Sequence, residues 1–253
     1  MNSLFVSWRP ALPEGAGWRP VGRLEHDGDL YRFWYTRGAK KEGFRPFSQM
    51  QQLDQVYESV ELFPLFANRL LSESRPEYED YLRWSGLDPD HRPDPIVVLG
   101  VTEGIRQTDA VEVFPCPRPD ESGCYSNKFF LHGIRWMPPA AIERISRLQT
   151  DERLKLLPDV QNEHDRHAVA VRTDAERMLV GYVPRYFAHD LQHLFSGCDT
   201  DFIRLSVDRV NLDAPLQNRV LCRIQACWPD GFQPCSGDDF APIPVGVPAK
   251  CVS

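Results

Sequence analysis

Proline and glycine interrupt this chain about once in every seven residues: 22 prolines and 16 glycines are spread over 253 positions. Proline removes a backbone donor and fixes φ, and glycine adds conformational freedom, so neither suits the interior of a long helix. The elements between such breaks must be short, which predicts turn-rich, largely β structure rather than a low-complexity chain. Hydrophobic residues make up 42% and charged residues 26%. Those are ordinary globular proportions, and they exclude a disordered acidic chain. At about 150 residues per domain, the length suits one large domain or two small ones. No apolar run approaches the ~20 residues that cross a bilayer. The stretch Met1 to Arg9 has no basic segment followed by a long apolar one, which argues against a secretory leader. The expectation is a cytoplasmic protein with no membrane partner.

Cysteine stands at positions 116, 124, 198, 222, 227, 235 and 251. The count is odd and no Cys-x-x-Cys occurs, so neither a zinc site nor a dense disulfide framework is expected. Reduced thiols follow from that reading. Charge is uneven along the chain. Residues 1–125 carry a net −6, residues 126–229 a net +1 with five of the seven histidines, and residues 230–253 a net −2. An acidic protein is a poor non-specific polyanion binder, so any nucleic acid must be gripped by a local site in the middle segment.

The first segment opens with a strand, Leu4 to Trp8. A hairpin follows, in which residues 21–26 and 30–35 flank Asp27-Gly28-Asp29, a turn that tolerates positive φ. Tyr31, Phe33 and Tyr35 share one face, and Trp34 joins Arg32 on the other, so both faces need cover. Residues 62–71 read as a helix with Leu62, Phe66 and Leu70 on one stripe. A second helix starts from Ser74 and Pro76 and stops at Gly86. Pro95 to Gly100 fits a strand or a buried helical turn equally well. Residues 116–128 read as a linker. The second segment reads strand 129–135, helix 139–149, strands 153–158, 167–173 and 178–183, helix 186–196, and strands 201–210 and 219–228. Together these predict a β-rich α+β protein. A small N-terminal α+β domain (1–118) precedes a partly open, OB-like β-barrel with short helices (126–229), and an extended tail (230–253) follows.

Three stretches of the second segment concentrate polar and aromatic groups at strand ends: His132-Gly133-Ile134-Arg135-Trp136, Gln161 to Val171, and Val180 to Phe187. Asn162 and Asp165 read first as a turn, because their side chains bond their own backbone. Gly181 inside a strand reads as a bulge or a close backbone approach, and Arg135-Trp136 as a cation–π pair. In order, the three blocks resemble the HIRAN domain, over roughly residues 128–228. Its signatures correspond here to Gly133-Ile134-Arg135-Trp136, Asn162-Glu163-His164-Asp165 leading into Ala168-Val169-Ala170-Val171, and Gly181-Tyr182-Val183-Pro184-Arg185.

That resemblance implies binding of single-stranded DNA, particularly a free 3′ end. By position, Asp165 would accept a hydrogen bond from the terminal hydroxyl. Trp136 and Tyr182 would contact bases or sugar, Arg135 and Arg185 would meet phosphates, and Asn162 would shape the pocket. His164, counted with these as a nucleic-acid-binding residue, stands where an aromatic is usual, and Met137 where a second aromatic often follows. Residues 21–24, 33–35 and 62–71 resemble, more faintly, the N-terminal subdomain of HipA-type kinases, which touches partner proteins. No kinase core follows, and Gly100 to Gly104 lacks the Lys-Ser/Thr of a phosphate-binding loop.

The first expectation is therefore a non-enzymatic DNA-binding protein, without metal or cofactor, whose residues 1–115 hold a protein partner. The alternative is an antitoxin-like regulator of a HipA-type kinase or other partner, without DNA binding. A third reading, a nuclease built on His164, Asp165 and His167, lacks a second cluster of ligands.

Overall fold

The structure is a computed structural model, described for residues 2–10, 18–106 and 108–243. It divides into two compact units. The first comprises residues 1–75, 92–116 and 235–253, and the second comprises residues 76–91 and 117–234. The units interleave along the chain, whereas the sequence reading places one linker between two continuous domains.

In the first unit, β1 (Asn2–Trp8), β2 (Arg19–His26), β3 (Tyr31–Tyr35), β4 (Val56–Ser59) and β5 (Val111–Pro115) form an antiparallel sheet in the order β4-β3-β2-β1-β5. The β2–β3 turn is held by Asp27, whose Oδ1 accepts from the N–H groups of Asp29 and Leu30 at 3.0 Å. Tyr31, Phe33 and Tyr35 are buried on one face beside Leu4, Val6 and Leu24. Across the sheet, Phe5 packs against Phe114 and edge-on against Phe240. The predicted helix 62–71 reduces to α1 (Pro64–Ala67). Beyond it Arg69 and Leu70 donate to carbonyls three residues back, and the Arg69 guanidinium turns inward to the carbonyls of Gly104 and Val111. The ambiguous run at 95 is a helix, α3 (Pro95–Thr102), with α2 described below. Asp94 caps it by accepting from the Ile96 N–H at 3.0 Å, and Pro95 starts it without needing a donor.

The expected tail is not free where the structure describes it. Residues 235–243 belong to the first unit, with Ile243 in its core, an isolated bridge between Thr36 and Pro242, and Lys41 paired to Asp239 at 2.5 Å. Residues 244–253 lie outside the described residues.

In the second unit, α2 (Tyr78–Trp84) ends at Gly86, whose φ of 68° is the left-handed stop that glycine supplies. Neither Ser74 nor Pro76 caps it, because the helix begins later, after Glu77. The strands are β6 (Cys124–Phe130), β7 (Arg153–Pro158), β8 (Val169–Thr173), β9 (Leu179–Tyr182), β10 (Arg204–Val210) and β11 (Val220–Cys227). Two helices, α4 (Pro139–Ile145) and α5 (Arg185–Gly197), are set among them. The first strand starts inside the predicted linker. The Asp120 carboxylate closes a tight turn by accepting from Ser122 and Cys124, and the chain then pairs with β11 from Cys124 to Phe130.

The sheet order is β6-β11-β10-β7-β8-β9. Its two edges then meet: His132, just past β6, and Tyr182 of β9 exchange backbone hydrogen bonds, both 2.9 Å. The sheet therefore curls into the partly open, OB-like barrel. Along its concave face α5 lays Phe187, Leu191 and Leu194, all buried, and Phe187 stacks on Tyr125 at 5.8 Å and packs near Phe129 at 5.3 Å.

The reduced-thiol reading needs one correction. Cys198, the C-cap of α5, and Cys227, the last residue of β11, form a disulfide across 29 positions. Spacing could not reveal it, because the pairing is made by a helix end meeting a strand end. Cys222 is buried, and burial holds its thiol far above the ordinary range.

Candidate nucleic-acid interface

Three segments converge where the barrel closes. The first is the loop from Asp159 to Ala168, joining β7 to β8. The Asp159 N–H donates to the Ala168 carbonyl at 2.8 Å, so the loop is pinched at its base. Within it Asn162 Oδ1 accepts from the N–H groups of His164 and Asp165, at 3.0 and 3.1 Å. Asp165 Oδ1 accepts from the His167 N–H at 2.9 Å. The turn reading of Asn162 and Asp165 is thus correct, and it is also how the loop fixes those two side chains. The imidazole of His164 is exposed, and His167 Nε2 accepts from Arg166 Nε at 3.0 Å.

The second segment is the end of β9 and the start of α5. Tyr182 Oη donates to Asp159 Oδ2 at 3.1 Å, and Asn162 Nδ2 donates to the same oxygen at 3.1 Å. Burial first, then the hydrogen bond and negative charge of Asp159, raise the Tyr182 phenol above its ordinary value of 10.0. It stays a neutral donor at physiological pH. Arg185, the first residue of α5, brings its Nε to 3.8 Å from Asp165 Oδ2. That is an ion pair too long for a hydrogen bond. Asp165 keeps a side-chain exposure of 19% and Arg185 of 36%, so both reach solvent.

The third segment follows β6. Gly133 adopts φ 73°, which turns the chain into a 3-10 turn at Ile134–Trp136 instead of the predicted strand end. A side chain on Gly133 would meet the Tyr182 ring at 3.3 Å. Arg135 lies over the Trp136 ring at 4.6 Å from its centroid, and the indole is 73% exposed. Met137 is buried and presents nothing to a ligand.

Asn162, Asp165, Tyr182 and Arg185 are therefore joined in one hydrogen-bonded and ion-paired group. Arg135 and Trp136 form a separate exposed pair, linked to that group through the His132–Tyr182 bridge. Sequence reasoning missed Asp159, the shared acceptor that ties Tyr182 to Asn162. Its signal was an aspartate three residues before Asn162, at the end of a strand. Among the described residues no group of three or more His, Cys, Asp or Glu is placed to hold a metal ion, and no helix is long and apolar enough to cross a membrane.

Comparison with known proteins adds a family. Residues 125–227 match the HIRAN domain. A search of curated proteins finds no match. Among solved structures, a protein from Lactobacillus plantarum is similar at 17% identity and a TM-score of 0.32, over 41% of this chain and 96% of that one. The HIRAN domain of human HLTF is similar at 16% identity and a TM-score of 0.29, over 42% of this chain and 78% of that one. The family match stops short of the first unit, and no comparison supports the likeness of that unit to HipA-type kinases. The likeness that the comparisons establish is thus confined to residues 125–227 and is to the HIRAN domain.

Proposed function

We propose that the second unit binds single-stranded DNA and captures its 3′ end at the group formed by Asn162, Asp165, Tyr182 and Arg185. The HIRAN match supports DNA binding, and the observation that carries the finer reading is the Asp165–Arg185 pair at 3.8 Å. Asp165 Oδ2 is an ionised acceptor not consumed by the backbone, beside a guanidinium that can turn toward a phosphate. A terminal nucleotide offers both partners at once, a hydroxyl donor and a phosphodiester oxygen. The exposed indole of Trp136, with Arg135 on one face, offers its other face to a base.

Fluorescence anisotropy with labelled strands that end in a free or a phosphorylated 3′ position tests this reading. The free end should bind about tenfold tighter, the scale of one hydrogen bond to a charged group. Asp165→Asn keeps the shape of the turn and removes the charge, and it should shrink that ratio toward one. Equal binding of the two ends by the unaltered protein would overturn end capture. No binding of either at low salt would overturn DNA binding altogether.

A further inference from the structure

One face of the six-stranded sheet carries a line of cations that the Asn162–Asp165–Tyr182–Arg185 group does not use. Register partners in a sheet project to the same side. Leu157, Ala170 and Tyr182 are partners across β7, β8 and β9, so Tyr182 stands on the face opposite the core residues Leu154 and Val171. The next row on the Tyr182 face sets Lys155 against Arg172. Two residues back along β7, Arg153 lies against Ser206 of β10, and Arg204 is two residues from Ser206 on the same side. Along β7, then, Arg153, Lys155 and the half-exposed Leu157 form a line that runs directly into Asp159, which anchors that group.

This arrangement works against the fold. Like charges directly opposite one another weaken a sheet, and Asp174, 3.9 Å from Lys155, offsets only part of the Lys155–Arg172 repulsion. Arg153 and Arg204 are exposed, and among the described residues neither forms an ion pair. Lys128 and Arg223, on the same face, are instead tied to Asp208 and Asp151. In a chain of net charge −7, a lane of cations in which Arg153 and Arg204 have no ion-pair partner, leading from the Asn162–Asp165–Tyr182–Arg185 group, is complementary to a polyanion and to little else.

We infer that this face is a track for the phosphodiester backbone of the same single strand whose end is held by that group, an inference that rests on the proposed function. From Arg153 to Pro158 the strand rises ~17 Å, at ~3.3 Å per residue. The end-binding group sets position and polarity, and the track supplies affinity that grows with strand length.

The test compares a dinucleotide, too short to leave the end-binding group, with a long strand of about fifteen nucleotides sharing the same free 3′ end, on the full chain. Single strands lose affinity with a log–log salt slope of about 0.7 per phosphate contacted. Three contacts should therefore steepen the long strand's slope by about two relative to the short one's. Raising salt from about 50 to about 200 mM should then cost the long strand about 20-fold more. Combined Arg153→Gln, Lys155→Gln and Arg204→Gln should erase that difference and leave the short strand unaffected. Equal slopes for the two strands in the unaltered protein, or a long-strand slope unchanged by the triple variant, would overturn the track while end capture stands. Length-dependent binding that the triple variant abolishes, with no preference for a free 3′ end, would retain the track and overturn end capture.

Discussion

Gly181 has no room for a side chain. A Cβ there would stand 2.8 Å from the carbonyl oxygen of His132 and 3.4 Å from the Leu131 Cβ. Backbone, unlike the far end of a flexible side chain, cannot step aside. Gly181→Ala should therefore open the His132–Tyr182 bridge and cost about 1–3 kcal/mol, the usual penalty for overpacking. Urea denaturation measures the loss, and an unchanged midpoint would mean that the bridge does not hold the barrel's edges together. Some of this was legible: a glycine inside a strand already suggested a close backbone approach, and Asn162 and Asp165 already read as a turn. Two features were not. Gly133 places Trp136 through a left-handed backbone turn, which alternation of residue types does not encode. Asp159 acquires its meaning from Tyr182, 23 positions later.

At the scale of elements, the hairpin of β2 and β3 was legible because Asp27-Gly28 sits between two alternating runs. The helix at 95 was ambiguous because its apolar run is continuous, although Asp94-Pro95, a cap followed by a first-turn proline, already marked a helix start. The start of β6 was hidden by polar residues on its outer side, Ser126 and Lys128, which masked the buried Tyr125 and Phe129.

The helix α5 carries a pH dependence of its own. His189 and His193 lie one turn apart with ring centroids 5.0 Å from each other. Burial first, then the charges of His193 and His167, lower the pKa of His189 below its ordinary 6.5. Because the folded value lies below the unfolded one, the contribution to stability is fully present above pH 6.5. It is lost as the pH falls from there through the folded value. Stability measured at pH 7.5 should exceed that at pH 5.5, and His193→Gln, which removes one like charge, should flatten the difference. An unaltered slope in that variant would show that the histidine pair is not electrostatically coupled.

For the molecule as a whole, the sequence reads as consecutive domains of contrasting charge, whereas the chain is shared between two interleaved units whose charges do not follow that division. Sequence reading also missed the Cys198–Cys227 bond, which clips the end of α5 to the end of β11. Closing a loop of 29 positions should stabilise the second unit by about 3–4 kcal/mol on a chain-entropy account. Denaturation with and without dithiothreitol reads this directly. Cys198→Ser should reproduce the reduced protein's midpoint, and coincident midpoints with and without reductant would show that the bond adds nothing.

The last described residues have a different consequence. Ile243 and Phe240 complete the packing of a sheet whose first strand, β1, comes more than 230 residues before them. During synthesis, that sheet stays unfinished until residues 235–243 have been delivered. The opening strands must then wait, half-covered, while the intervening barrel is made.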